Sequence, residues 1–93
     1  MSIISAMELV AGCRNALELS HLQRFRQTIT VWPVSAAASQ NAFHLMESFF
    51  LSYGLLIADA LIAATALEQG LTLYTRNVRH FQMIPGLVLV QPY

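Results

Sequence analysis

ADALIAATALEQGLTLYTRNVRHF, residues Ala58–Phe81, is the stretch that decides the fold of this chain. Within it, Asp59 opens a run that is apolar, apart from one threonine, as far as Leu67. Gly70 follows shortly after and marks the end of the helix. A helix with apolar residues on nearly every side has to be buried. The sequence therefore predicts a buried helix that starts at Asp59, on which the other elements of the domain pack.

A polar turn follows this helix. Leu71–Tyr74 is β-like, and the next residues are Thr75, Arg76 and Asn77. Taken singly, these are ordinary turn residues. Their position matters more, because ligands of parallel α/β folds bind beyond the carboxyl ends of the strands. The turn is therefore a candidate site.

The composition indicates one small domain with a partner. The chain has 93 residues, of which 56% are hydrophobic and only 11% are charged. A domain of this size has a large surface for its volume. Either apolar side chains are exposed or a partner covers them. We expect a single domain over residues 1–93 that forms homo-oligomers, dimers or larger.

Several classes of protein are disfavoured. No apolar run reaches the about 20 residues that span a bilayer. The N-terminus lacks the basic region of a signal peptide and carries Glu8 within its apolar stretch. The single Cys13 precludes an internal disulfide. We expect a cytoplasmic protein without a membrane segment.

The charge pattern gives little sign of a nucleic-acid surface. Five arginines, no lysine and five acids give a net charge of zero, whereas proteins that bind phosphates usually show a basic patch. Arg76 and Arg79, beside the polar turn, are the local exception. The sequence also lacks a glycine-rich phosphate loop, a zinc spacing and a dinucleotide fingerprint.

The remaining elements predict an α/β domain with a mainly parallel sheet. Ser5 and Glu8 have the spacing of a capping box at the start of a helix. Gly54 is the expected end of a helix that Ser35 begins. The other predicted elements are a short β-like piece at Ser2–Ile4, too short to be an independent strand, a helix from Ala16 to about Gln27, and strands at Thr28–Trp32 and Leu87–Val90.

Two acids begin predicted helices, and each has two interpretations. Glu8 and Asp59 can be helix caps that interact with free N–H groups and the helix dipole. Alternatively, they converge on a divalent cation, for which Mg²⁺ or Mn²⁺ suits carboxylate and amide ligands. His80 is a surface or hydrogen-bonded residue, a metal ligand or an acid–base group. Ser5 has no histidine–aspartate relay that would make it a nucleophile.

The stretch ADALIAATALEQGLTLYTRNVRHFQMIPGL resembles the C-terminal half of PIN-domain proteins, in particular the VapC-like toxins of bacterial toxin–antitoxin pairs. SIISAMELVAGCRN is similar to the strand-then-helix segment of that family. The resemblance implies a three-layer α/β/α fold with a short, mainly parallel sheet. It also implies metal-dependent hydrolysis of RNA phosphodiesters and a small antitoxin as a partner.

The resemblance assigns roles to individual residues. Glu8 and Asp59 match two metal-site acids that hold Mg²⁺ or Mn²⁺, and both are expected to be catalytic. Asn77 matches the polar turn beside the metal and joins them as a catalytic candidate. The residues expected on the substrate side are Thr75, Arg76, Arg79 and His80.

The sequence departs from the family pattern in two places. It begins at the family's second strand, without the first strand and its metal-site aspartate, and His80 stands where a fourth acid is usual. We therefore expect an N-terminally truncated PIN domain with weakened activity. Its uncovered sheet edge favours association with another copy. The alternative is a catalytically inactive PIN-like remnant that serves as an interaction or oligomerisation module.

Overall fold

The computed structural model describes residues 1–92 and divides into two compact units, Met1–Val34 and Ser35–Tyr93. Tyr93, the last residue of the predicted domain, lies outside the described residues.

The first unit consists of two helices and an isolated β-bridge. Helix α1 spans Ile3–Ala11 and α2 spans Ala16–Arg26. The bridge is parallel and joins Ser2 to Trp32. None of the described residues of either helix is buried. An apolar groove of about 210 Å³ lies within this unit.

Helix α1 begins earlier than the sequence predicts. Ser2, in an extended conformation, is the N-cap, and its hydroxyl accepts the N–H of Ser5 at 3.1 Å. The predicted capping box of Ser5 and Glu8 is therefore wrong, and of the β-like piece predicted at Ser2–Ile4 only Ser2 pairs, in the bridge to Trp32. The reason is that the backbone pairing ends at Ile3, whose N–H donates to the carbonyl of Trp32 at 2.7 Å.

Of the predicted strand at Thr28–Trp32, only Trp32 pairs, in the bridge to Ser2. The N–H of Thr28 donates to the carbonyl of Phe25 at 3.0 Å, and its hydroxyl donates to the same oxygen at 2.7 Å. The N–H of Ile29 donates to Arg26 at 3.3 Å. These bonds continue the end of α2 as a turn, so β-branched residues here do not extend into a strand.

The second unit is built on two packed helices, α3 at Ala36–Tyr53 and α4 at Ile57–Gln69. Ser35 caps α3, as predicted, by accepting the N–H of Ala38 at 3.0 Å. Gly54 ends α3 in the left-handed conformation, also as predicted. None of the described helices combines the length and the apolar character needed to cross a membrane.

Helix α4 is buried on nearly all sides, which confirms the prediction for the opening stretch. The hydroxyl of Thr65 is satisfied by donating to the carbonyl of Leu61 at 2.8 Å. The small side chains allow α3 to pack closely. The buried residues of α4 are Ala60, Ile62, Ala63, Ala64, Thr65 and Ala66.

A short parallel sheet follows α4. Strand β1 is Leu73–Tyr74 and β2 is Leu89–Val90, paired in parallel. The strands are shorter than predicted, in part because the N–H of Leu71 donates to the carbonyl of Ala66 at 2.9 Å and so belongs to the end of α4. A 3₁₀ helix at Val78–His80 lies between the strands. The mixed α/β class with short parallel pairing is confirmed.

Candidate functional site

Asp59 lies in the first turn of α4 and is not its cap. The helix begins at Ile57, and the N-cap is Leu56, which makes no side-chain capping bond. The interpretation of Asp59 as an N-cap is therefore wrong. As the third residue of the helix, it still lies at the positive end of the helix dipole, which favours a negative charge.

The carboxylate of Asp59 is mostly buried, and one of its oxygens has no hydrogen-bond partner. Its side chain is 13% exposed. Among the described residues, its Oδ2 atom is buried and has no hydrogen-bond partner. A buried charged oxygen without a partner costs free energy unless a cation or a donor compensates it. Such an oxygen is a suitable ligand for a hard cation such as Mg²⁺ or Mn²⁺.

Among the described residues, His80 is the titratable side chain that lies within ion-pair distance of this carboxylate. Its Nδ1 atom lies 3.2 Å from Oδ2 of Asp59, within ion-pair distance but without hydrogen-bond geometry. The ring is half exposed. The 3₁₀ helix holds it through the backbone bond from His80 to Asn77 at 2.9 Å, and the next side chain, Phe81, is buried. The structure thus brings together two of the predicted site residues.

A cleft of about 180 Å³ opens beside this pair. Tyr53, which sequence reasoning did not assign to the site, is exposed and lines the cleft together with Asp59 and His80. Gly54 was the available signal for Tyr53. A helix that ends at this glycine places Tyr53 in its last turn, a few residues before the start of α4. The cleft therefore has an acid, an imidazole and an aromatic ring.

The polar turn lies at the carboxyl end of β1, as predicted. The N–H of Thr75 donates to the carbonyl of Val90 at 3.1 Å, which continues the sheet pairing. The hydroxyl of Thr75 accepts the N–H of Asn77 at 3.0 Å. The hydroxyl thus shapes the turn.

A second depression, of about 280 Å³, is also lined by His80. His80 is thus shared by the cleft and the depression. Among the described residues, Arg79 makes no ion pair or side-chain hydrogen bond. A basic depression next to a carboxylate suits a phosphodiester backbone. Its other lining residues are Arg76, Asn77, Val78 and Gln91.

Glu8 lies in the first unit, on α1, and its side chain is exposed. It makes no side-chain hydrogen bond or ion pair with a described residue. Since the capping box does not form, the structure removes the interpretation of Glu8 as a cap. Its role as a metal-site acid stays a prediction. The described residues include no group of three or more histidine, cysteine or acidic side chains placed to hold a metal ion.

Comparison with known sequences identifies the family. The PIN-domain family model matches residues 1–86, which include residues of both units. Ribonuclease VapC10 of Mycobacterium tuberculosis is 35% identical over 88 residues, which are 94% of this chain and 65% of the relative. Ribonuclease VapC19 of the same organism is 37% identical over 81 residues, 86% of this chain and 64% of the relative. The chain thus spans slightly less than two thirds of these relatives.

Solved structures agree with the sequences. DNA-bound VapBC from Salmonella typhimurium matches with a TM-score of 0.79 and 26% identity, over 96% of this chain and 71% of that one. A toxin–antitoxin complex from Klebsiella pneumoniae matches with a TM-score of 0.73 and 33% identity, over 99% and 72%. The resemblance seen in the sequence is confirmed: the chain belongs to the PIN-domain family and is VapC-like.

Proposed function

We propose that this chain is a divalent-metal-dependent endoribonuclease of the kind that serves as the toxin of a toxin–antitoxin pair. The observation that carries the proposal is the buried, unpartnered Oδ2 of Asp59 at the edge of a cleft. The ribonuclease names of the VapC relatives support RNA as the substrate. Cytoplasmic RNA would be the target.

Asp59 would hold the cation, Mg²⁺ or Mn²⁺. Such a bound cation lowers the pKa of a water molecule and stabilises negative charge on the phosphate. The buried helix α4 fixes the backbone of Asp59, so the carboxylate loses little freedom on binding. The role of Glu8 as a further metal-binding acid rests on the family resemblance. RNA cleavage by Glu8→Gln, measured beside Asp59→Asn, tests this role.

The basic depression would hold the RNA backbone. Arg79 and Arg76 supply positive charge, and the Asn77 amide supplies donors for phosphate oxygens. Thr75 keeps the turn in shape through its bond to the Asn77 N–H at 3.0 Å. These residues would place a phosphodiester next to the carboxylate, which is the condition for its hydrolysis.

Cleavage of a defined single-stranded RNA tests the proposal. We expect the purified full chain to cleave it with Mg²⁺ or Mn²⁺ and to stop when the metal is chelated. Cleavage that continues unchanged in chelator would reject a metal-dependent nuclease. Absence of cleavage with either metal would favour the second candidate.

The second candidate is an inactive PIN-like module for interaction or oligomerisation. Its support is the number of large apolar side chains that are exposed, such as Leu51 at 94%. This candidate predicts that the chain does not bind Mg²⁺ or Mn²⁺ in calorimetry. Tight binding that depends on Asp59 would exclude it.

We also propose an antitoxin partner, which the toxin–antitoxin complexes among the solved structures support. The apolar groove of the first unit is the surface we assign to it. Val10 lines this groove, whereas Leu17 on α2 does not. Both are at least half exposed. Val10→Glu should prevent co-purification of an antitoxin expressed from the neighbouring gene, and Leu17→Glu should not. Equal retention of the antitoxin by both variants would reject this groove as its binding surface.

A further inference from the structure

The distance between His80 and Asp59 has a consequence for the cation. Two atoms that bind one octahedral cation from adjacent positions, each at about 2.1 Å, lie about 3 Å apart. Nδ1 of His80 and Oδ2 of Asp59 are 3.2 Å apart. They are not hydrogen-bonded to each other, and Oδ2 has no other partner among the described residues. The pair has the spacing of two ligands of one ion.

Both residues lie in or next to buried parts of the chain, and there is room beside them. Asp59 belongs to the buried helix α4, and His80 precedes Phe81, which is 4% exposed. The cleft beside them measures about 180 Å³. A water molecule takes about 30 Å³, so the cleft has room for a cation and several waters.

We propose that His80 is a nitrogen ligand of the cation that Asp59 binds, so that the site prefers Mn²⁺ to Mg²⁺. The inference rests on the proposed function. Mg²⁺ prefers oxygen ligands alone, whereas imidazole suits transition metals. An oxygen–nitrogen pair therefore selects against Mg²⁺, and His80 in place of an acid changes the metal that the site takes.

A different arrangement makes the opposite prediction. If a protonated His80 only neutralises Asp59, the imidazolium competes with the cation for the carboxylate. Removing the ring would then tighten metal binding. The two arrangements are separated by the direction in which the affinity changes.

The experiment is Mn²⁺ binding to the full chain, followed by electron paramagnetic resonance. Titration of free Mn²⁺ gives the affinity, and pulsed spectra detect a nitrogen nucleus bound to the ion. We expect a nitrogen signal in the wild type that His80→Gln removes, with Mn²⁺ affinity lowered by about 10-fold or more. His80→Asp should lose the signal and bind Mg²⁺ more tightly than the wild type does.

His44 provides the matched control, because it is an exposed histidine with an acidic neighbour, Glu47, at 3.4 Å. His44→Gln should keep both the affinity and the nitrogen signal. Bound Mn²⁺ without a nitrogen signal, or tighter binding by His80→Gln, would overturn the proposal.

Asp59→Asn separates the two levels. Mn²⁺ binding that depends on Asp59 but shows no nitrogen signal rejects His80 as a ligand and leaves the proposed ribonuclease site standing. Mn²⁺ binding that Asp59→Asn does not change rejects the proposed site itself. A wild type that binds Mg²⁺ but no Mn²⁺ rejects only the nitrogen ligand, and one that binds neither ion rejects both.

Discussion

At the scale of single residues, the carboxylate of Asp59 is the feature that most needs a partner. Burying a charged group without compensation costs several kcal/mol as an order of magnitude, about what a small domain has available as its whole stability. The helix dipole offsets part of this cost. A divalent cation bound to this oxygen would offset the rest, which is the physical reason for proposing a metal site here.

Arg79 should contribute to RNA binding and not to folding. Its side chain is exposed and makes no ion pair with a described residue. Arg79→Gln should weaken binding of RNA to the Asp59→Asn variant and reduce the slope of log affinity against log salt by about one. Arg24, on the first unit, gives the matched control variant Arg24→Gln. An unchanged slope for Arg79→Gln would contradict the placement of RNA in the basic depression.

Sequence reasoning selected candidate residues, whose roles stay predictions, but not their surroundings. Asp59 was found because it interrupts an apolar run, and the polar turn because it follows a strand. The cap interpretation failed because Ile57 and Ala58 are apolar and give no sign that the helix already includes them. Tyr53 was missed, since an aromatic residue at helical spacing is indistinguishable from a core residue until the fold brings it to the cleft.

At the scale of elements, α4 depends on a left-handed residue at its end. Gly70 ends the helix at φ 64°, a region that costs other residues about 1–2 kcal/mol. A Cβ atom there would meet nothing within 4 Å. Gly70→Ala should therefore lower the free energy of unfolding by about 1 kcal/mol through backbone strain alone.

Urea unfolding checks this prediction. Gly70→Asn should lose less stability than Gly70→Ala, because asparagine tolerates the left-handed region better. Gly12→Ala, at φ −80°, should cause no loss. A Gly70→Ala variant as stable as the wild type would show that the end of α4 does not need this conformation.

Helix α2 should respond to acid through Glu18. The guanidinium of Arg14, and then its backbone N–H, hold the pKa of Glu18 below its ordinary value of 4.5. Because the folded state has the lower pKa, this stabilisation is complete above about pH 4.5 and is lost as the pH falls through the folded pKa. The effect is small and sensitive to salt, since the carboxylate is solvated.

Circular dichroism against pH checks the sign. In Glu18→Gln, the loss of helix below pH 4.5 should be less steep than in the wild type. Glu47→Gln, which leaves the contact between Arg14 and Glu18 intact, should follow the wild type. A steeper acid transition in Glu18→Gln would contradict the assignment.

The helices were easier to predict than the strands. Ser35, Gly54 and Gly70 are local signals that act within one turn of chain, and all three hold in the structure. Strand formation depends on a partner far away in sequence. Thr28 and Ile29 favour strands by type, yet their backbone bonds close the end of α2.

At the scale of the whole molecule, exposed apolar surface is the dominant property. In the second unit it includes Phe50, Leu51, Tyr53, Leu56 and Ile57, each more than half exposed. Contiguous surfaces of this kind usually mark a site of interaction. We propose a homo-oligomer, a dimer or larger, which the high hydrophobic fraction of 56% also supports.

Light scattering after size exclusion tests this at micromolar concentration. The wild type should have at least twice the mass of one chain. Leu51→Glu should lower the mass, because this side chain is 94% exposed, and Ser52→Glu, at an exposed neighbouring position, should change it less. A monodisperse wild-type monomer would contradict the proposal.

We propose that Asp59 holds the metal for RNA hydrolysis. Single-turnover cleavage of one defined RNA, with analysis of the product ends, tests this most directly. Attack by a water molecule leaves linear phosphate ends, whereas attack by the ribose 2′-hydroxyl leaves cyclic ones. We predict metal-dependent cleavage with linear ends, slowed by about two to four powers of ten in Asp59→Asn and unchanged in Glu47→Gln. Cyclic ends, or equal rates in Asp59→Asn and the wild type, would contradict it.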